Sequence, residues 1–93
     1  MEKQWVVYIL QCGDDSLYTG ITDNFQRRLA VHQAGKGAKY TRGRGPLTLR
    51  YLETCEDHSA ALRREIQIKS MTRKEKLSLC VAYSSENMEP TEE

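Results

Sequence analysis

The sequence has little of what several protein classes require. Its longest apolar run, Trp5 to Leu10, falls far short of the roughly 20 residues a membrane helix needs, so no membrane partner is expected. No basic segment followed by an apolar core and a cleavage site opens the chain, which argues against secretion. Cysteines number three, Cys12, Cys55 and Cys80. They are odd in number, widely spaced and form no Cys-x-x-Cys pair, so neither a disulfide framework nor a zinc site is expected. Free thiols point to the cytoplasm. With 93 residues the chain fits one small domain.

Acidic residues are absent from Asn24 to Arg50. That stretch holds Arg27, Arg28, Lys36, Lys39, Arg42, Arg44 and Arg50. The last eight residues reverse the balance, with Glu86, Glu89, Glu92 and Glu93 and no base. The net charge of +1 therefore hides a polarised chain: Met1 to Ser85 carries 14 basic against 9 acidic residues. A local excess of that size attracts polyanions. Charge alone fits a solvated basic face equally well.

Hydrophobic patterning gives the elements. Gln4 to Cys12 reads as a strand, with Trp5, Val7 and Ile9 on one face and Val6, Tyr8 and Leu10 on the other. Both faces are apolar, so both should be covered. Gly13 to Ser16 is a turn cluster, and Leu17 to Thr22 completes a hairpin. Asp23 with Gln26 forms a capping-box pattern, opening a helix to about Ala34 that Gly35 stops. Phe25, Leu29 and His32 share one helical face. Gly35 to Pro46, with four glycines and a proline, is a loop or contains a short helical turn. Leu47 to Cys55 reads as a third strand, with Leu47, Leu49 and Tyr51 in alternation before Leu52. Asp57 or Ser59 starts a helix to about Ser70. Thr72 to Glu75 is a second capping-box pattern, opening a helix through about Ala82. The fold class is α+β: a small three-stranded sheet in β-β-α-β-α-α order, flanked by helices. Residues 1–83 form the domain and 84–93 an acidic tail, expected to be disordered.

Several residues on these elements bear chemistry. If the hairpin loop has three residues, Gly13 to Asp15, then Tyr18 pairs with Leu10 and Tyr8 with Gly20. Both tyrosines then share a face, with space left by Gly20 beside Tyr8. An even loop puts them on opposite faces, and two core-packing tyrosines are the plain alternative. Arg28 and His32 lie one helical turn apart, His32 on the apolar stripe. A snorkelling arginine beside a packed histidine is the ordinary reading. Glu65 sits among Ala61, Leu62, Ile66 and Ile68, so partial burial is expected. A carboxylate there needs a cation, donors or a metal, and Lys69 could supply an i, i+4 pair.

Val7-Tyr8-Ile9 followed by Tyr18-Thr19-Gly20 resembles the two signature tripeptides of the GIY-YIG nuclease superfamily. Arg28 and His32 match the family's helix that bears an arginine and, one turn on, a His or Tyr. Glu65 occupies the place of its metal-binding glutamate. Gly35 to Thr41, Pro46 and Leu62 to Lys69 are similar to the small, single-domain bacterial branch, the UPF0213-type proteins. The resemblance spans about Trp5 to Cys80. Val7 replaces the first glycine of the name and Thr19 the second isoleucine. Several relatives carry an asparagine downstream of the glutamate; here the only later one is Asn87.

The resemblance implies an endonuclease that hydrolyses phosphodiesters with one divalent metal, Mg²⁺ or Mn²⁺, held by Glu65. It implies a phosphate clamp at Arg28 and a general base at Tyr8, with His32 or Tyr18 relaying or orienting protons. No small-molecule cofactor is expected. Lys36, Lys39, Tyr40, Arg42 and Arg44 on the glycine-rich loop suit backbone contact and base stacking. Such contacts give affinity without sequence readout, so structure-dependent or low-specificity cutting is expected, with DNA favoured. The alternative is a non-catalytic nucleic-acid-binding module that retains the nuclease fold.

Overall fold

The structure of the chain, a computed structural model, describes residues 4–87. In chain order the elements are β1 (Val6–Gln11), β2 (Leu17–Thr22), α1 (Phe25–Gln33), a 3-10 turn at Lys39–Thr41, β3 (Thr48–Thr54), α2 (His58–Lys69) and α3 (Arg73–Asn87). The strands make one antiparallel sheet in the order β2-β1-β3. This is the expected α+β order. No helix of the described residues is long and apolar enough to cross a membrane.

β1 lies in the middle of the sheet because its residues are apolar on both faces. Val6 to Leu10 are all buried. Val7 and Ile9 pack with Ala61 and Ile68 of α2 and Cys80 of α3. Val6, Tyr8 and Leu10 pack on the opposite face with Cys12, Leu47 and the α1 residues Phe25 and Leu29. The sheet thus separates two cores, one under α2 and α3 and one under α1 and the basic loop. All three cysteines are buried free thiols.

The hairpin loop has three residues. Cys12 N–H donates to the Ser16 carbonyl at 2.8 Å, and Asp15 N–H to the Cys12 carbonyl at 2.9 Å. Asp15 takes the left-handed conformation, φ 70°, which a short polar side chain tolerates. Asp14 holds the turn by accepting from the Ser16 hydroxyl at 2.5 Å. The odd loop sets the register: Tyr8 pairs with Gly20 and Leu10 with Tyr18.

Three expectations need correction. Asn24, not Asp23, caps α1, its side-chain oxygen accepting from Arg27 N–H at 3.2 Å. With the cap one residue later the helix starts at Phe25, and Gln26 falls at the second helical position, not the third that a capping box needs. On β3 the alternation breaks at a bulge: Ile9 pairs with Tyr51 but Leu10 with Leu49. The extra residue, Arg50, sends Tyr51 to the α2/α3 face while Leu49 and Leu52 face α1. On α2, Ala61 and Ile68 are buried and Ile66 is 67% exposed; Glu65 is partly buried, as expected. Finally, α3 continues to Asn87. Ser84 to Asn87, expected in the tail, are helical, and residues 88–93 lie outside the described residues. The capping box at its start is present: Glu75 N–H donates to Thr72 Oγ1 at 3.2 Å and Thr72 N–H to Glu75 Oε1 at 2.9 Å.

One buried hydroxyl is mismatched. Thr19 is 4% exposed and its Oγ1 has no hydrogen-bond partner among the described residues. An unpaired buried hydroxyl costs roughly 1–3 kcal/mol. Thr19→Val keeps the shape and removes the orphan group. It should raise stability by about 1 kcal/mol, read as a higher urea midpoint with an unchanged slope.

Candidate active site

The α1 face of the sheet collects the chemistry. Tyr8 from β1, Tyr18 from β2 and His32 from α1 form one aromatic cluster, with ring centroids 6.3 Å apart for Tyr8–Tyr18, 6.0 Å for Tyr8–His32 and 5.3 Å for Tyr18–His32. Phe25 sets its ring edge-on to Tyr8 at 5.3 Å. Gly20 provides the room: a methyl group there would lie 2.6 Å from the Tyr8 hydroxyl. His32 reaches the cluster because it continues the apolar stripe of α1.

Hydrogen bonds string these groups together. The Tyr8 hydroxyl lies 2.9 Å from His32 Nε2. His32 Nδ1 lies 2.9 Å from Thr41 Oγ1. The Thr41 hydroxyl donates to the Ala38 carbonyl at 3.0 Å. Tyr8, His32 and Thr41 are 0%, 1% and 2% exposed. Thr41 is the functional candidate that sequence reasoning missed. A threonine in a loop of lysines, arginines and glycines carries no pattern that marks it as buried; only the turn at Lys39–Thr41 folds it onto the ring.

Arg28 is half-buried one turn before His32. It acts on both titratable partners. Burial pushes the Tyr8 phenol up to about 12, against an opposing pull from the Arg28 guanidinium; Tyr18 and Glu65 add to the upward push. The lowering of Tyr8 by Arg28 thus loses to desolvation. Burial, seconded by the Arg28 charge, holds His32 below the ordinary histidine range. The pair is therefore a neutral phenol and a neutral imidazole near pH 7.

Linkage fixes the sign of the resulting pH dependence. His32 binds its proton less readily folded than unfolded, so stability is full above about 6.5 and falls as the pH drops below it. Tyr8 releases its proton less readily folded than unfolded. Stability is full below about 10 and falls as pH rises from there toward about 12. Tyr51 on the other face is also raised, by burial first, and adds to the alkaline loss. A plot of melting temperature against pH should show a plateau between about 7 and 10, and Tyr8→Phe should make the alkaline limb shallower without abolishing it.

Glu65 on α2 is near enough to Tyr8 to raise its phenol. Its side chain is 17% exposed and pairs with Lys69 Nζ at 3.1 Å, the i, i+4 bridge anticipated from the sequence. Among the described residues no three His, Cys, Asp or Glu side chains are grouped to hold a metal ion, so an all-protein cage is absent. A lone, mostly buried carboxylate still fits Mg²⁺, which takes one or two carboxylates and completes its shell with water and substrate phosphate. The exposed Lys69 can swing away from it.

The basic loop packs against this cluster. Lys36, Lys39 and Arg42 are exposed. Tyr40, 43% exposed, leans on Tyr18 with centroids 5.8 Å apart. Arg44 lies over the Tyr40 ring at 4.7 Å and pairs with Asp14 at 2.5 Å. Beside the loop is a groove of about 490 Å³ lined by His32, Thr41, Gly43 and Leu47 among others. Asn87 ends α3 on the last described turn.

Residues 4–78 match the family described as the GIY-YIG catalytic domain. A UPF0213 protein of Oceanobacillus iheyensis is 52% identical over 79 residues, covering 85% of this chain and 92% of its own length. One from Halobacterium salinarum is 52% identical over 73 residues, covering 78% of this chain and 95% of its own. The solution structure of an E. faecalis protein superposes with a TM-score of 0.62 at 35% identity, over 99% of this chain and 100% of that one. A UPF0213 protein from Bacillus halodurans gives 0.57 at 38% identity, over 95% and 99%.

Proposed function

Since the chain belongs to the GIY-YIG family, and to its UPF0213 group, we propose that it is a nuclease that hydrolyses nucleic-acid phosphodiesters, preferring DNA by structure rather than sequence. The observation that carries the reading is the buried 2.9 Å contact from Tyr8 to a neutral His32, with Arg28 and Glu65 both acting on that phenol.

Glu65 would hold one Mg²⁺ or Mn²⁺, which when bound neutralises charge on the scissile phosphate. Arg28 grips a phosphate oxygen pair with its planar fork, a geometry lysine lacks. Tyr8 takes a proton from the attacking water as its own passes to His32 Nε2. The water oxygen bonds to phosphorus and the bond to the leaving oxygen breaks, the leaving oxygen taking a proton from solvent. His32 ends protonated and returns its proton through Tyr8. His32, not Tyr18, is the relay, because its Nε2 lies 2.9 Å from the Tyr8 hydroxyl. Tyr18 instead props the ring stack. Lys36, Lys39 and Arg42 supply backbone affinity.

One observation favours a second reading, a nucleic-acid-binding module without catalysis. Tyr8 has no accessible surface and its phenol is pushed up, so the resting state stores no phenolate. Catalysis then requires Tyr18 or Arg28, both half-buried, to move aside when a strand binds. The test is incubation of the purified chain with branched, nicked and single-stranded DNA, with Mg²⁺, Mn²⁺ or a chelator. Metal-dependent cutting supports the nuclease. Salt-sensitive binding with no cutting under any metal supports the module.

A further inference from the structure

We propose that Thr41 is a positioning residue that locks His32 in the tautomer protonated at Nδ1, so that the basic loop itself sets the proton-accepting nitrogen beside Tyr8. The inference rests on the nuclease reading for its consequence, but its geometry stands apart from it.

The argument is a count of protons. A carbonyl oxygen can only accept, so the Thr41 hydroxyl, 3.0 Å from the Ala38 carbonyl, spends its one proton there. Its oxygen then faces His32 Nδ1 at 2.9 Å as an acceptor, and Nδ1 must carry hydrogen. A neutral imidazole has only one N–H. Nε2 is therefore a bare lone pair, and the Tyr8 hydroxyl 2.9 Å away donates to it. Every proton along Tyr8, His32, Thr41 and Ala38 has an acceptor.

The opposite arrangement fails at Tyr8. If Thr41 donated to Nδ1, Nε2 would carry hydrogen and donate to the phenol oxygen. The phenol proton would then need a second acceptor, and no other acceptor is bonded to the Tyr8 hydroxyl among the described residues; the hydroxyl belongs to a side chain with no exposed surface. A buried donor without an acceptor is disfavoured.

The loop fixes the ring as well as its tautomer. Gly37 is buried against His32, and a methyl group there would lie 2.4 Å from Nδ1 and 3.0 Å from Cα. Only a hydrogen fits between loop and imidazole, so the ring has no space to flip. The segment that closes over it, Gly37 to Thr41, also carries Lys39 and adjoins Lys36 and Arg42. A strand held by those bases lies on the same backbone that orients the relay.

The experiment is nitrogen-15 NMR of the His32 ring in the full chain, paired with cleavage assays. The wild type should give the pattern of a protonated Nδ1 and a bare Nε2. Thr41→Val should lose that pattern, and Thr41→Ser should keep it. In the same variants, Thr41→Val should lower kcat about tenfold or more with KM little changed, and serine should restore it. A wild-type ring protonated at Nε2 overturns the proposal, as does a Thr41→Val variant that keeps both the Nδ1 pattern and full kcat. The wild-type spectrum needs no variant to fold. If the chain cuts nothing, the spectra still decide the role of Thr41, so failure of the nuclease reading and failure of this one are told apart.

Discussion

Arg28→Ala and Glu65→Gln should each slow single-turnover cleavage by roughly 10²–10³, while leaving the fold intact. Arg28 and Glu65 are both only partly buried, so neither change opens a cavity. Glu65→Gln keeps the volume and removes the charge that a divalent ion would need. Arg28→Lys should recover little, since a single ammonium cannot grip two phosphate oxygens at once. Because these groups act on one transition state, the double variant should be hardly slower than the worse single one. Lys69→Ala is the contrasting control: it frees Glu65 and should leave cleavage equal or better at low metal concentration. Unchanged rates in both Arg28→Ala and Glu65→Gln would remove these residues from the mechanism.

Gly20→Ala should damage both the fold and the site at once. Its Cβ would fall 2.6 Å from the Tyr8 hydroxyl, 2.8 Å from the adjoining ring carbon and 2.9 Å from Tyr18. Neither ring can yield freely. Tyr8 is wedged against Phe25 and hydrogen-bonded to His32. Tyr18 is backed by His32 and Tyr40. Overpacking of this kind costs about 1–3 kcal/mol, and each kcal/mol lowers the melting temperature of a domain this size by about 4–8 °C. Cleavage should fall further than stability does, because the shift breaks the Tyr8–His32 contact. Adding Tyr8→Phe to Gly20→Ala removes the nearest atom, so it should recover part of the stability and none of the activity. A melting temperature unchanged in Gly20→Ala would show that the rings are looser than their packing implies.

The site was readable in the sequence where one local rule decided it. A three-residue turn of Gly13, Asp14 and Asp15 places Tyr8 and Tyr18 on one face, and the α1 stripe brings His32 beneath them. The Glu65–Lys69 pair follows from helical spacing alone. What was not readable depended on tertiary packing. Thr41 is buried only because its turn folds over His32. Arg44, from its charge alone, looks available to a phosphate, yet Asp14 and Tyr40 hold it from thirty and four positions away in the chain. The Arg50 bulge reverses the faces of β3 with no turn residue to announce it. Ser84 to Asn87 look like tail because they are polar, but a well-capped helix can carry a polar last turn when its other turns pack on β3. The upward push on Tyr8 comes from burial on both faces of β1, which charge spacing along the sequence does not reveal.

The division of the relay between β1 and the loop has a consequence for how the protein fails. β1 is hydrogen-bonded on both edges and covered on both faces, so its amides should open to exchange only in global unfolding. The turn carrying Thr41 is held by a few short-range bonds, and its neighbours are exposed, so it should exchange orders of magnitude faster. Tyr8 and its clamp thus belong to different cooperative units. On gentle heating the clamp should release first, and the chain should lose function at a temperature where its sheet is still whole.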